Sequence, residues 1–66
     1  MHYGMLLKIA MAKRGVGTYQ LASLLGVKAQ QVSRWRNSSD IKLSTMLKIC
    51  RVLQMRVEDF LDVDES

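Results

Sequence analysis

The sequence predicts an all-α fold, in which five short helices form one domain over residues 1–66. Proline is absent from the 66 residues, so no proline breaks a helix. The four glycines all lie early in the chain, and apolar residues elsewhere recur at helical spacing. A chain this short buries only about 60% of the surface that it exposes when unfolded, so a partner subunit would add stability.

The first helix is predicted over residues 5–14 and ends where the segment Gly15-Val16-Gly17 breaks it. Lys8 is its only polar residue before Lys13. Because a helix that is apolar nearly all round is buried on more than one side, we expect this helix to contact more than one neighbouring surface.

The second and third helices are predicted over Thr18–Leu25 and Ala29–Arg36, with Gly17 or Thr18 as the N-cap of the second. Gly26 supplies the positive φ that lets one helix end and the next begin within about three residues. After the third helix, side chains of residues 37–40 compete for backbone hydrogen bonds and end it. The side chains predicted to pack inside this corner are Leu21, Ala22, Leu25, Val32 and Trp35.

The fourth helix is predicted over residues 44–53, and the fifth over Val57–Leu61. The apolar stripe predicted to bury the fourth helix consists of Leu43, Met46, Leu47, Cys50 and Leu53. Glu58 and Asp59 lie in the first turn of the fifth helix, where the helix dipole favours acids. Residues 62–66 are predicted to form a frayed acidic tail.

Charge is segregated along the chain. All ten lysines and arginines lie between Lys8 and Arg56, where Asp40 is the only acid, and the other five acids follow residue 57. The body of the domain is therefore more basic than the net charge of +4 suggests, and the pI is about 9.7. Clustered cations are typical of a nucleic-acid-binding protein, although a solvated basic face is the alternative.

Several function classes are excluded by what the sequence lacks. No apolar run reaches the roughly 18 residues of a membrane span, and the first residues lack the order of a secretory signal, so we expect a cytoplasmic protein. Cys50 and His2 are single residues of their kinds, so neither a disulfide nor a metal site is expected. Ser33 has no nearby base in register. We therefore expect no enzyme, no cofactor and no small-molecule ligand.

The segment LASLLGVKAQQVSRWRN resembles the helix-turn-helix of the phage repressor and Cro family, the XRE-like regulators. The segment LSTMLKICRVLQMRVEDFL resembles the fourth and fifth helices of that family, so the likeness covers roughly residues 7–61. The resemblance implies a compact five-helix, repressor-like DNA-binding fold with its helix-turn-helix at about residues 18–37. It also implies a transcriptional regulator that binds a two-fold symmetric operator as a homodimer.

In such a domain the third helix enters the major groove. Since Val32 and Trp35 define its inward face, the opposite face faces the bases. The predicted base-contacting residues are Ala29, Gln30, Ser33 and Arg34. Gln30 suits adenine, Arg34 suits guanine, and Ala29 suits a thymine methyl group. The residues predicted to contact the DNA backbone are Thr18, Tyr19, Lys28, Gln31, Arg36, Asn37, Ser39, Lys42, Ser44 and Thr45.

The chain departs from the family pattern in three places that affect these predictions. Many relatives pair an arginine in the first helix with a glutamate at the end of the third, and here Met11 and Arg36 occupy those positions. Arg36 is therefore expected to be free to contact phosphate. Lys42 and Gln54 replace a capping residue and a helix-ending glycine, so the fourth helix is expected to begin and end less sharply than usual. Gly17 replaces the usual serine or threonine cap.

Two partner surfaces remain open. The resemblance assigns Leu7, Ala10 and Met11 to the core face of the first helix, and the family commonly dimerises through its fifth helix and the segment before it. The candidate partner residues are Met5, Leu6 and Ile9 in the first surface and Met55, Val57 and Leu61 in the second. An antitoxin that binds a toxin through its first helix, and an interaction module without DNA binding, are the alternative functions.

Overall fold

The computed structural model describes residues 2–65, in which five α-helices are followed by one 3-10 helix. The helices are α1 (Tyr3–Arg14), α2 (Thr18–Leu25), α3 (Ala29–Arg36), α4 (Leu43–Val52) and α5 (Val57–Leu61), and the 3-10 helix is Val63–Glu65. The predicted all-α class and the bounds of α2, α3 and α5 are confirmed. α1 begins earlier than predicted because the Met5 N–H donates to His2 Nδ1 at 3.1 Å, which caps the helix.

The core draws on every helix. Its largest fully buried side chains are Phe60, Leu7, Leu21, Ile49, Leu53 and Val32. Of the predicted corner residues, Leu21, Ala22 and Val32 are buried, whereas Leu25 and Trp35 are half-buried at the rim of the core. α2 and α3 pack closely against each other, as the tight corner requires.

The corner between α2 and α3 is closed by Gly26. Its φ is 71°, and the Val27 N–H donates to the Ala22 carbonyl oxygen at 3.0 Å. This hydrogen bond reaches back across the last turn of α2 to a carbonyl that also accepts from the Gly26 N–H. Glycine therefore occupies the position where the backbone turns.

The beginning of α1 docks against the end of α3 and the loop that follows it. The Gly4 N–H donates to the Ser38 carbonyl oxygen at 2.9 Å, and the Tyr3 N–H donates to the Ser39 carbonyl oxygen at 3.2 Å. N–H groups at the start of α1, which have no partner within the helix, are thereby paired with carbonyls of the loop after α3. Gly4 is buried there, which the sequence pattern did not indicate.

The predicted apolar stripe of α4 is wrong at two positions. Leu43 is 64% exposed and Leu47 is 49% exposed, whereas Ile49 is fully buried. α4 packs against both α2 and α5, and this placement turns the helix so that Ile49 faces the core instead of Leu47. Cys50 is buried as predicted, and this burial raises the pKa of its thiol, which favours the unreactive protonated form.

The end of α4 is sharper than predicted. Gln54 adopts a left-handed conformation with φ 56°, and the Met55 N–H donates to the Cys50 carbonyl oxygen at 3.0 Å. This is the hydrogen bond that a glycine usually allows at a helix end. Lys42 precedes the helix without a side-chain capping bond, as the sequence suggested.

Replacing Gln54 with glycine is expected to raise the free energy of unfolding by about 1 kcal/mol, because glycine adopts positive φ without steric cost. Urea denaturation measures this change. The matched control is Gln20→Gly, which places the same substitution within α2 and is expected to lower stability by up to about 1 kcal/mol. Equal effects of the two substitutions would contradict the backbone explanation.

The predicted frayed tail is wrong for the described residues 62–65. Residues Val63–Glu65 form a 3-10 helix, and Val63 is only 4% exposed. The helix packs against α1 and α5, and the buried side chain of Val63 holds this acidic segment against the core. The last predicted tail residue, Ser66, lies outside the described residues.

Val63→Ala is expected to lower the free energy of unfolding by about 1–2 kcal/mol, since it removes two buried methyl groups. Asp64→Ala is the control, because Asp64 is exposed in the same short helix. Its effect is expected to stay within about 0.5 kcal/mol. Equal stability of both variants in urea would show that the segment is frayed after all.

Candidate nucleic-acid interface

α3 presents a polar face to solvent on the side opposite its buried anchor. Val32 is fully buried, whereas Gln30, Ser33 and Arg34 are exposed. Ala29, the fourth predicted base-contacting residue, is half-buried and packs against the core. The outward face of α3 contains no acidic residue, so it presents hydrogen-bond donors and one positive charge.

Two surface grooves run along the flanks of α3, and Gln30 borders both. The first groove, here called the outer groove, is lined by Val27, Lys28, Gln30, Gln31, Arg34 and Trp35. The second, here called the α2–α3 groove, is lined by Thr18, Tyr19, Ala29, Gln30 and Ser33. The predicted base-contacting residues therefore share these two grooves with several of the predicted backbone-contacting residues.

Arg36 is not free, contrary to the expectation from its sequence position. Its Nη1 donates a hydrogen bond to the hydroxyl of Thr18, and its Nε is buried without a hydrogen-bond partner. The side chain is half-buried and ties the end of α3 to the first turn of α2. One edge still borders a surface concavity with Lys8, Ser33 and Asn37.

The bond between Arg36 and Thr18 can be tested by a double-mutant cycle. Thr18→Val keeps the shape of the side chain but removes the acceptor, and it is expected to lower the free energy of unfolding by about 1–2 kcal/mol. In an Arg36→Met background the same substitution is expected to cost about 1 kcal/mol less. Additive effects in urea denaturation would mean that the two side chains do not interact.

Three helices lack the capping side chains and first-turn acids that normally offset the positive end of the helix dipole. α2, α3 and α4 follow Gly17, Lys28 and Lys42, none of which makes a side-chain capping bond, and none of these helices has an acid in its first turn. α5 differs, because Glu58 and Asp59 lie in its first turn. Backbone N–H groups at the starts of α2 and α4 therefore suit an anion such as phosphate.

Most of the other predicted backbone-contacting residues lie at the surface. Lys28, Ser39, Lys42 and Ser44 are exposed, while Gln31 and Thr45 are half-buried. Within residues 2–65, neither lysine of this group nor Arg34 forms an ion pair, so their charges are available to an external partner.

The loop after α3 is ordered by its own hydrogen bonds. Asn37 is exposed, but its Nδ2 donates to the Ser33 carbonyl oxygen at 3.0 Å. The Ser38 hydroxyl donates to the Asp40 carbonyl oxygen at 2.7 Å. Together with the docking of α1, these bonds connect the segment between α3 and α4 to both α1 and α3.

The predicted partner surfaces are largely covered by the domain itself. Leu6 is 3% exposed, so its assignment to a partner surface is wrong: it packs in the core. Met5 is 53% exposed. The remaining candidates, Ile9, Met55, Val57 and Leu61, are half-buried and pack against the core. Other exposed apolar side chains, outside the predicted partner surfaces, include Leu24, Leu43 and Leu47.

Comparison with known protein families matches residues 6–66 to the Cro/C1-type HTH DNA-binding domain. No curated protein matches the sequence. In the part of the chain that the structure describes, no helix is long and apolar enough to cross a membrane. The same residues contain no group of histidine, cysteine and acidic side chains that would hold a metal ion.

Proposed function

This chain belongs to the Cro/C1-type helix-turn-helix DNA-binding family, and we propose that it regulates transcription by binding a specific operator as a homodimer. The observation that carries the proposal is the geometry of α3. Its buried side is anchored by Val32, its exposed side presents Gln30, Ser33 and Arg34, and α3 itself contains no acidic residue. A helix of this kind, supported on a second helix, fits the major groove of DNA.

Each predicted base-contacting side chain has a chemical preference. Gln30 would pair with adenine through its amide, and Arg34 would pair with guanine O6 and N7. Ser33 can donate to or accept from either kind of base, and the methyl group of Ala29 suits thymine. Each good bidentate pair contributes about 1–3 kcal/mol of discrimination against the wrong base.

Phosphate contacts would hold α3 in register from both sides. On one side lie the start of α2 and the Thr18–Arg36 pair, and on the other lie Lys42 and the first turn of α4. Such contacts position the domain without reading sequence. Because they release counterions from DNA, binding should weaken steeply as salt increases.

The small size of the domain and the resemblance to the repressor family support the homodimer. The fold is small enough for a second subunit to add stability, and Met55, Val57 and Leu61 lie half-buried around α5. Two copies of α3 would then reach half-sites about 34–36 Å apart. The proposal places the protein in the cytoplasm with the nucleoid, as a non-enzymatic regulator without a cofactor or small-molecule ligand.

Selection of binding sites from random double-stranded DNA tests the proposal. The expected result is an inverted repeat whose half-sites are spaced by one helical turn, bound more weakly as salt is raised. Recovery of a motif without symmetry would contradict the dimer. Retention of no DNA at low salt would contradict DNA binding altogether and favour a protein-interaction module.

A further inference from the structure

Tyr19 is unusually open to solvent for an aromatic residue. It is 82% exposed, more than any other large apolar side chain among residues 2–65. Its hydroxyl makes no hydrogen bond within the same residues. An exposed ring near the start of α2 adds little to packing, so neither the core nor a local hydrogen bond explains it.

The position of Tyr19 beside α3 indicates a role more clearly than its exposure does. Tyr19 lines the α2–α3 groove together with Ala29, Gln30 and Ser33. Tyr19 therefore borders the same concavity as three of the residues assigned to bases.

The chemistry of this groove is mixed. Ala29 and the ring of Tyr19 are apolar, while Gln30 and Ser33 supply hydrogen-bonding groups. Among the four DNA bases, thymine alone presents both a methyl group and a carbonyl oxygen in the major groove. The apolar parts of the groove match the methyl group, and the polar parts match the oxygen.

We propose that Tyr19 is a specificity-determining residue whose ring contacts the 5-methyl group of a thymine in each half-site. This proposal rests on the proposed function, because it requires α3 to lie in the major groove. It assigns Tyr19 to base recognition in addition to any contact of its hydroxyl with the backbone. The other wall of the same methyl-binding space is Ala29.

The test replaces each thymine of the selected operator in turn by deoxyuridine, which lacks only the methyl group. For the unmodified protein, replacing one particular thymine in each half-site is expected to lower the affinity for the operator about fourfold. This factor corresponds to one buried methyl group, about 0.8 kcal/mol. Tyr19→Phe is expected to retain this sensitivity because it keeps the ring. Tyr19→Ala is expected to lose it at that thymine and at no other.

The outcomes separate this proposal from the proposed function. The protein could select an operator while Tyr19→Ala stays as sensitive to every deoxyuridine replacement as the unmodified protein. In that case DNA recognition stands and the role of Tyr19 is overturned. An operator without thymine in the half-site overturns it equally. If no operator is selected at all, the proposed function fails, and the role of Tyr19 fails with it. Circular dichroism of Tyr19→Ala should match the unmodified protein, since the side chain is exposed.

Discussion

Gly4→Ala is expected to lower the free energy of unfolding by about 3 kcal/mol or more, a large part of the stability of so small a domain. A Cβ atom at this position would lie 2.6 Å from the carbonyl oxygens of Trp35 and Arg36, and it would also meet that of Ser38. All three oxygens belong to the backbone, so rotation of a side chain cannot relieve the clash. The substitution therefore pushes α1 away from α3 and breaks the two hydrogen bonds that join α1 to the loop after α3.

Urea denaturation followed by circular dichroism measures this effect, and DNA binding should fall with it because the end of α3 loses its support. Gly17→Ala is the matched control. An added Cβ at Gly17 meets no atom within 4 Å, so only the capping preference changes, at about 1 kcal/mol or less. Similar stability of the two variants would show that the docking of α1 on α3 is loose.

Arg34→Ala is expected to weaken binding to the selected operator by about 5- to 150-fold, corresponding to about 1–3 kcal/mol, and to remove the preference for guanine at one position. Arg34 is exposed and makes no ion pair within the described residues, so the stability of the domain should not change. Site selection with the variant identifies the position, and titration of single-base operator variants measures the loss.

Lys42→Ala is the control for this prediction. Lys42 is equally exposed, but it lies before α4, where a phosphate contact is proposed. Its loss should weaken all DNA sequences about equally and reduce the slope of affinity against salt by about one. If Arg34→Ala behaves in the same way, then Arg34 contacts the backbone and does not read a base.

Much of the fold could be predicted because its signals are local. The left-handed turn at Gly26 depends on one residue without a Cβ, and the anchors Leu21 and Val32 follow from helical spacing around it. The exposed face of α3 follows in turn, since the side opposite Val32 must face away from the core. These features need no knowledge of the rest of the chain.

The errors arose where two elements distant in sequence meet. Leu47 and Ile49 are equally apolar, and only the placement of α4 between α2 and α5 decides which of them is buried. Helical spacing alone does not show how many sides of α1 its neighbours cover, so it places Leu6 at a partner surface although the side chain lies in the core. Periodicity identifies an apolar face but not its rotation within a bundle.

The contacts of Arg36 and Gly4 likewise could not be predicted from the local sequence. The hydrogen bond from Arg36 to Thr18 joins residues 18 positions apart, and nothing in the local sequence of either residue indicates it. In the sequence Gly4 is an ordinary glycine near the start of a helix. Only the structure shows that carbonyl oxygens at the end of α3 lie beside it.

The all-α class, the tight corner at Gly26, the polar face of α3 and the family are all predictable from the chain, because each depends on local conformation or on residue order. The rotation of α4, the docking of α1, the pairing of Arg36 and the position of Tyr19 beside α3 are seen only in the folded domain. Burial and hydrogen bonding between distant segments depend on distances in space, which spacing along a chain does not specify.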